Sequence, residues 1–281
     1  MYARASPKIS RRSRYAEPPI QHQGSAVPKL QHTDWPARLW VIRHGQSAGN
    51  VARDAAELAG ATLIDLAHRD ADTPLSELGE QQSQALAAWF DALPSDERPT
   101  HLMSSPFVRS YQTCAAIATR LRIDADEISL DERLREKEFG ILDRYTSQGI
   151  RATFPELAEQ RALVGKFYFR PPGGESWCDV ILRLRSLVEV LRRDHVGDRV
   201  VIVAHQVIVN CFRYLLECMD EKAILEIDRL ADVPNCSITE YGFGQGKEGE
   251  RFALRRANYV PPELEDHATV TVAADAPAGP K

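Results

Sequence analysis

The stretch Leu39-Trp40-Val41-Ile42-Arg43-His44-Gly45-Gln46-Ser47-Ala48-Gly49-Asn50 decides the reading of this chain. Val200-Val201-Ile202-Val203-Ala204-His205-Gln206 repeats its pattern far downstream. In each, four or five apolar, mostly β-branched residues run without a polar break, as expected of a parallel strand buried on both faces. Polar residues begin where each strand must stop. Ligands of open α/β sheets bind beyond the carboxyl ends of the strands, so two histidines and an arginine are expected to meet at one rim.

Outward from these strands, helical and extended patterns alternate. A helix follows Gln46. Ser76 has the character of an N-cap before a run with apolar positions at Leu78, Leu86, Trp89 and Phe90. His101 to Ser104 reads as a short strand, with Pro106 suited to the first turn of the next helix. A further strand is expected within Ile128 to Leu134. Ser176 to about Asp194 is a long amphipathic helix with Val180, Leu184, Leu187, Val188 and Leu191 on one face. Gly197 ends it, and the strand Arg199 to Ala204 leads into an apolar helix from Val207 to Cys218. Ser237 to Tyr241 and Arg251 to Arg255 pair as a hairpin across a glycine-rich turn. The sum is a three-layer α/β/α sandwich with a mainly parallel sheet of about six strands.

Residues 1–36 are polar and basic at the start, with no acidic residue before Glu17, and read as a disordered tail. Residues 261–281 read as a second tail, which leaves one domain over 37–260. Hydrophobic content of 43% and charged content of 27% suit a globular chain long enough to bury its own core. The formal net charge of -5 argues against a nucleic-acid partner while leaving room for a local cationic pocket. Five cysteines without a Cys-x-x-Cys pair argue against a disulfide framework or zinc site and point to a reducing, cytoplasmic compartment. No run approaches the ~18 apolar residues of a membrane span, and no apolar segment near Met1 suits a secretory signal.

Four short pieces carry chemistry. In Arg43-His44-Gly45, a neutral imidazole can attack phosphorus and form a covalent intermediate, and the arginine offers a permanently charged fork for phosphate oxygens. Arg109, in Ser105-Pro106-Phe107-Val108-Arg109, lies about a turn into a helix that begins at a strand's end; it points to the same rim or is a plain surface arginine. In Leu134-Arg135-Glu136-Lys137-Glu138-Phe139-Gly140, a carboxyl beside a phosphate dianion stays partly protonated and suits a general acid. Glu132 and Glu138 compete with Glu136 for that role, and each is also readable as a solvated charge. His205-Gln206 supplies a second imidazole, cationic against phosphoryl oxygens or simply a satisfied core histidine.

The order Arg-His-Gly, Ser-Pro-x-x-Arg, Leu-x-Glu-x-x-x-Gly and an apolar strand ending in His resembles the histidine phosphatase superfamily, the phosphoglycerate mutase-like group, over about residues 38–242. The resemblance implies that His44 is the phosphorylated nucleophile and that Glu136 is the proton donor. It implies that Arg43, Arg109 and His205 hold the phosphate, and that Asn50 and Gln46 border the pocket. Members of the group commonly carry Glu where this chain has Gln46.

The insert over 141–175 is more particular. Thr153-Phe154-Pro155-Glu156, Arg161 and Lys166-Phe167-Tyr168-Phe169-Arg170-Pro171-Pro172-Gly173-Gly174-Glu175-Ser176 are similar to the bisphosphatase domain of the bifunctional fructose-2,6-bisphosphate enzymes. His205-Gln206, Cys211 and Leu215 continue the likeness. It implies that Arg161 and Lys166 grip a second, distal phosphate, with Gln206 also lining the substrate site. Three departures count against that substrate itself: Ser147 and Trp177 stand where the relatives have Tyr, and Asn210 where they have Arg. Gly242 to Lys247 lacks the spacing of a nucleotide-binding loop and reads as a tight turn.

Three functions remain open on the sequence. The leading one is a metal-independent phosphatase acting on a small phosphorylated metabolite, a sugar phosphate or bisphosphate, without a cofactor. The others are a cofactor-dependent phosphoglycerate mutase and a non-catalytic phosphate-ligand binder. The segment between Glu136 and His205 is shorter than in mutases of this group, which favours hydrolysis.

Overall fold

The computed structural model describes residues 34–246 and 249–272. Most of the basic N-terminal tail expected over 1–36 lies outside them, as do residues 273–281. Six strands form one sheet in the order β3-β2-β4-β1-β5-β6. β1 (Arg38–Arg43), β2 (His101–Ser104), β3 (Ser129–Leu130) and β4 (Arg199–Ala204) run parallel, and β5 (Ile238–Gly246) and β6 (Gly249–Tyr259) add an antiparallel hairpin.

The two quoted strands are central because both of their faces are covered. Side chains alternate along a strand, so Leu39 and Val41, with Val200 and Ile202, enter one core layer. That layer is completed by helices α6 (Trp177–Asp194) and α7 (Gln206–Leu216). Trp40 and Ile42, with Val201 and Val203, enter the other, under α2 (Glu77–Ala92) and α3 (Val108–Leu121). All eight are fully buried.

The expected cap at Ser76 is present, and two capping boxes join it. Ser76 caps α2 through the Gly79 amide, and Ser176 forms a capping box with Asp179 at the start of α6. Helix α1 (Ala48–Leu58) has the same device in Ser47 and Asn50. Several expectations shift. Pro106 precedes the N-cap Phe107 and does not enter the first turn of α3. The strand expected within 128–134 shortens to two residues, because the Asp131 carboxylate accepts the Arg133 amide and turns the chain into a 3-10 turn. The insert forms two short helices, α4 (Ser147–Thr153) and α5 (Pro155–Val164).

The segment expected as a C-terminal tail is structured in its described part. After α8 (Glu221–Leu230) and the hairpin comes α9 (Pro262–His267), whose Leu264 is fully buried in the α2–α3 layer. Beyond it the chain runs to Thr271, which both donates to and accepts from Asn235.

Candidate active site

The register of the central pair builds the site. Arg43 lies opposite Ala204 on β1 and β4, so His44 and His205 each sit one residue past the same rung. The His44 amide donates to the Ala204 carbonyl at 3.0 Å, and the two rings meet edge to face with centroids 5.1 Å apart. Both histidines and Arg43 are fully buried, and Arg109 and Glu136 are each 2% exposed.

The protonation of His44 follows from its partner. Nδ1 lies 2.6 Å from the Gly45 carbonyl oxygen, which only accepts, so Nδ1 carries the proton and Nε2 the lone pair. Arg109 Nε donates to that Nε2 at 3.2 Å. Gly45 must be glycine: a Cβ there would lie 2.6 Å from the Gly79 carbonyl oxygen, at the first turn of α2. Thr113 Oγ1 accepts the Gly45 amide at 3.1 Å. The Asn235 amide group donates to the His44 carbonyl at 2.9 Å, and Gln82 Oε1 accepts the Gln46 amide at 2.8 Å. Thr269 and Thr271 hold that Gln82, and Thr271 holds Asn235. Thr269 and Thr271 therefore brace the His44 loop from behind.

Arg109 reaches the rim from the first turn of α3. The half-exposed Asp70 occupies its outer fork: Nη1 lies 3.1 Å from Oδ1, and Nη2 donates to Oδ2 at 3.2 Å. Arg43 donates to the Val233 carbonyl at 2.5 Å. His205 Nε2 lies 2.8 Å from Ser105 Oγ and 3.3 Å from Ser110 Oγ. His205 is also the N-cap of α7, so this helix opens with its positive end at the rim.

Glu136 arrives on the loop after β3. Its Oε1 accepts the Lys137 amide at 2.7 Å. The loop is fixed by Glu175, which takes Arg183 Nε at 2.9 Å, Arg135 Nη2 at 2.8 Å and the Glu138 amide at 3.1 Å. Burial pushes the Glu175 carboxyl up, but the Arg183 fork and Arg135 win and hold it below the usual carboxylate range. Gly140 has φ +55, and a Cβ on it would strike the Pro172 carbonyl oxygen at 2.1 Å, so the loop and the insert close on each other only through glycine.

The remaining expected residues are placed as follows. Asn50 is buried, lines the pocket beside Arg109 and closes the α1 capping box with Ser47. Gln46 turns its side-chain oxygen to Ser76 Oγ at 2.7 Å. Gln206 donates to Asp232 at 2.8 Å. Lys166 pairs with Asp228 of α8, and Arg161 also feels that carboxylate. Lys137 is buried near Glu136, Glu175, Arg161 and Lys166, and burial lowers its ammonium to about 8. Asp70, Lys137, Asp228 and Asn235 are the residues that sequence reasoning missed.

Residues 39–258 match the histidine phosphatase superfamily, branch 1. A probable phosphoglycerate mutase from Photorhabdus laumondii is 28% identical over 73% of this chain and 85% of that protein. A 6-phosphofructo-2-kinase/fructose-2,6-bisphosphatase from Caenorhabditis elegans is 31% identical over 63% of this chain, which spans only 33% of that longer protein. Among solved structures, a mycobacterial glucosyl-3-phosphoglycerate phosphatase complexed with inorganic phosphate superposes with a TM-score of 0.58 at 26% identity, covering 79% of this chain and 97% of that one. The match spans the four site segments and all but the two end residues of the sheet, and the chain belongs to the histidine phosphatase superfamily, branch 1.

Proposed function

We propose that this enzyme is a phosphatase that hydrolyses a small phosphorylated metabolite of the sugar phosphate class through a phosphohistidine on His44. The observation that carries the reading is the His44–His205 juxtaposition at the β1/β4 rung, with Arg109 on His44 Nε2 and the proton parked on Nδ1. In the first step Nε2 attacks phosphorus, the P–O bond to the leaving alcohol breaks, and the Glu136 carboxyl gives that oxygen its proton. In the second, water attacks the phosphohistidine, Glu136 takes a proton from it, and inorganic phosphate leaves with His44 restored. Arg43, Arg109 and His205 meet the charge on the phosphoryl oxygens, so arginine and histidine supply what a metal ion supplies elsewhere. Arriving phosphate displaces the Asp70 carboxylate from the Arg109 fork.

The insert supports a substrate with a body beyond the phosphate. Arg161 and Lys166 offer two cations there, but Asp228 already neutralises one of them, and a second phosphate meets that carboxylate as a like charge. A hydroxyl-bearing sugar suits this mixed set of charges better than a bisphosphate.

The test is phosphate release from a panel of phosphorylated sugars and glycerate derivatives with chelator present. Release is expected from at least one, falling by at least ~10³-fold in His44→Ala. Full turnover in that variant would remove the phosphohistidine. The relative named a probable phosphoglycerate mutase favours a second reading, phosphoryl transfer within one substrate. Interconversion of phosphoglycerates faster than phosphate release would establish it instead.

A further inference from the structure

We propose that His101, His195 and Asp198 form a zinc-class metal site at the amino-terminal edge of the sheet, away from the catalytic rim. One donor atom from each lies within 4.8 Å of the other two. The three come from two places: His101 opens β2, while His195, the C-cap of α6, and Asp198, just before β4, share one turn. His195 Nδ1 and the Asp198 carboxylate are already 3.0 Å apart, close to the ~3.3 Å between two donors on one tetrahedral zinc ion. The His101 and His195 rings are tilted at 52° with centroids 4.3 Å apart, which keeps the third donor beside the other two.

The chemistry of the set is selective. Two imidazoles and one carboxylate suit Zn2+ and its borderline neighbours over Ca2+ or Mg2+, and three protein donors leave a position for water. Ser129 Oγ lies 3.3 Å from His101 Nε2 and orients that ring from the neighbouring strand. The location also favours a cation: α6 runs 18 residues and His195 is its C-cap, so the negative end of the helix lies at the site. The geometry is locally built. Gly197 takes φ +80, and the Asp198 amide returns to the His195 carbonyl at 3.1 Å, folding the aspartate back onto the histidine. All three side chains are half-buried, which leaves the site open to an ion from solvent.

β4 spans the sheet between this site and His205, a rise of roughly 20 Å. Metal binding there clips β2, α6 and β4 together and does not touch the reacting phosphate. Its signature is therefore stability, with turnover unchanged.

The experiment uses the full chain stripped with chelator, then titrated with Zn2+ by calorimetry and followed by thermal unfolding. One Zn2+ per chain is expected, with a midpoint raised by several degrees. Affinity is expected to weaken by more than about tenfold in His101→Ala and in Asp198→Asn. Phosphate release from the best substrate should stay unchanged in both variants. Asp198→Asn keeps the side chain's size, so it reports even if His101→Ala fails to fold. Absence of stoichiometric binding overturns the proposal, and so does binding of equal strength in Asp198→Asn and wild type, which would place the zinc on other groups such as the exposed Cys218.

Discussion

At the scale of single residues, carboxylates already sit on the cations proposed to hold the substrate. Asp70 sits on the fork of Arg109, the arginine that also touches His44. Asp70→Asn removes an anion from the Arg109 fork, and inhibition by inorganic phosphate is expected to strengthen by roughly 5- to 30-fold, the effect of about 1–2 kcal/mol between close charges near a surface. Weaker inhibition in that variant would mean that Asp70 positions Arg109 for phosphate. Lys137 gives a pH test. Burial lowers its ammonium from 10.5 to about 8, so between those values the unfolded chain binds the proton that the folded chain has lost. Stability from this group therefore rises with pH across that window, by at most about 1.4 kcal/mol per unit, and below pH 8 its full burial cost is present. Urea midpoints at pH 7.5 and 9.5 should converge in Lys137→Met relative to wild type. The meeting of Arg43, His44, Arg109 and His205 at one rim was legible because each lies at a strand's end or opens a helix within a short run. Asp70 and Asp228 were not, since a lone carboxylate in a polar stretch acquires its meaning only from the arginine or lysine it meets in space.

At the scale of elements, legibility tracked burial pattern. β1 and β4 announce themselves by unbroken apolar runs buried on both faces, and α6 by an apolar stripe that keeps the helical period against a core. α5 buries no residue and has no stripe to read. The hairpin β5–β6 is longer than its legible halves, because Gly242, Gly244 and Gly246 interrupt the strand signal. α9 is six residues long with one buried side chain, Leu264, set in a composition that reads as a tail. Its consequence is nevertheless direct, since Thr269 and Thr271 beyond it hold Gln82 and Asn235, which hold the backbone of Gln46 and His44. Asn235 and His44 are 191 residues apart, a separation no local pattern reveals. Ending the chain after Val260 is expected to lower the thermal midpoint by several degrees and kcat by about tenfold or more, with KM little changed. Steady-state kinetics on the truncated protein checks this, and an unchanged kcat would reduce the segment to packing.

For the molecule as a whole, the sheet with a packed layer on each side leaves reactive groups sorted by depth. All five cysteines are unpaired; Cys114, Cys211 and Cys236 are fully buried, Cys178 is half-buried and Cys218 is exposed. Burial pushes the Cys114 and Cys236 thiols up to about 12, which removes their thiolates at neutral pH. A thiol reagent is expected to modify Cys218 first and Cys178 more slowly, with the other three reacting only on unfolding; mass spectrometry of the labelled native protein reads the order. Among the described residues no helix is long and apolar enough to cross a membrane.

The shared rung of β1 and β4 has one more consequence, for how this protein tolerates change. Strand faces alternate with a period of two, so removing or adding one residue within Arg199–Ala204 turns His205 to the opposite face while leaving every apolar residue apolar. Conservative exchanges among Val, Ile and Leu within these strands should be accepted widely, whereas single-codon insertions and deletions in the same windows should eliminate turnover. In a library that scores both kinds of variant, the two strands would stand out as permissive to spelling and intolerant of length.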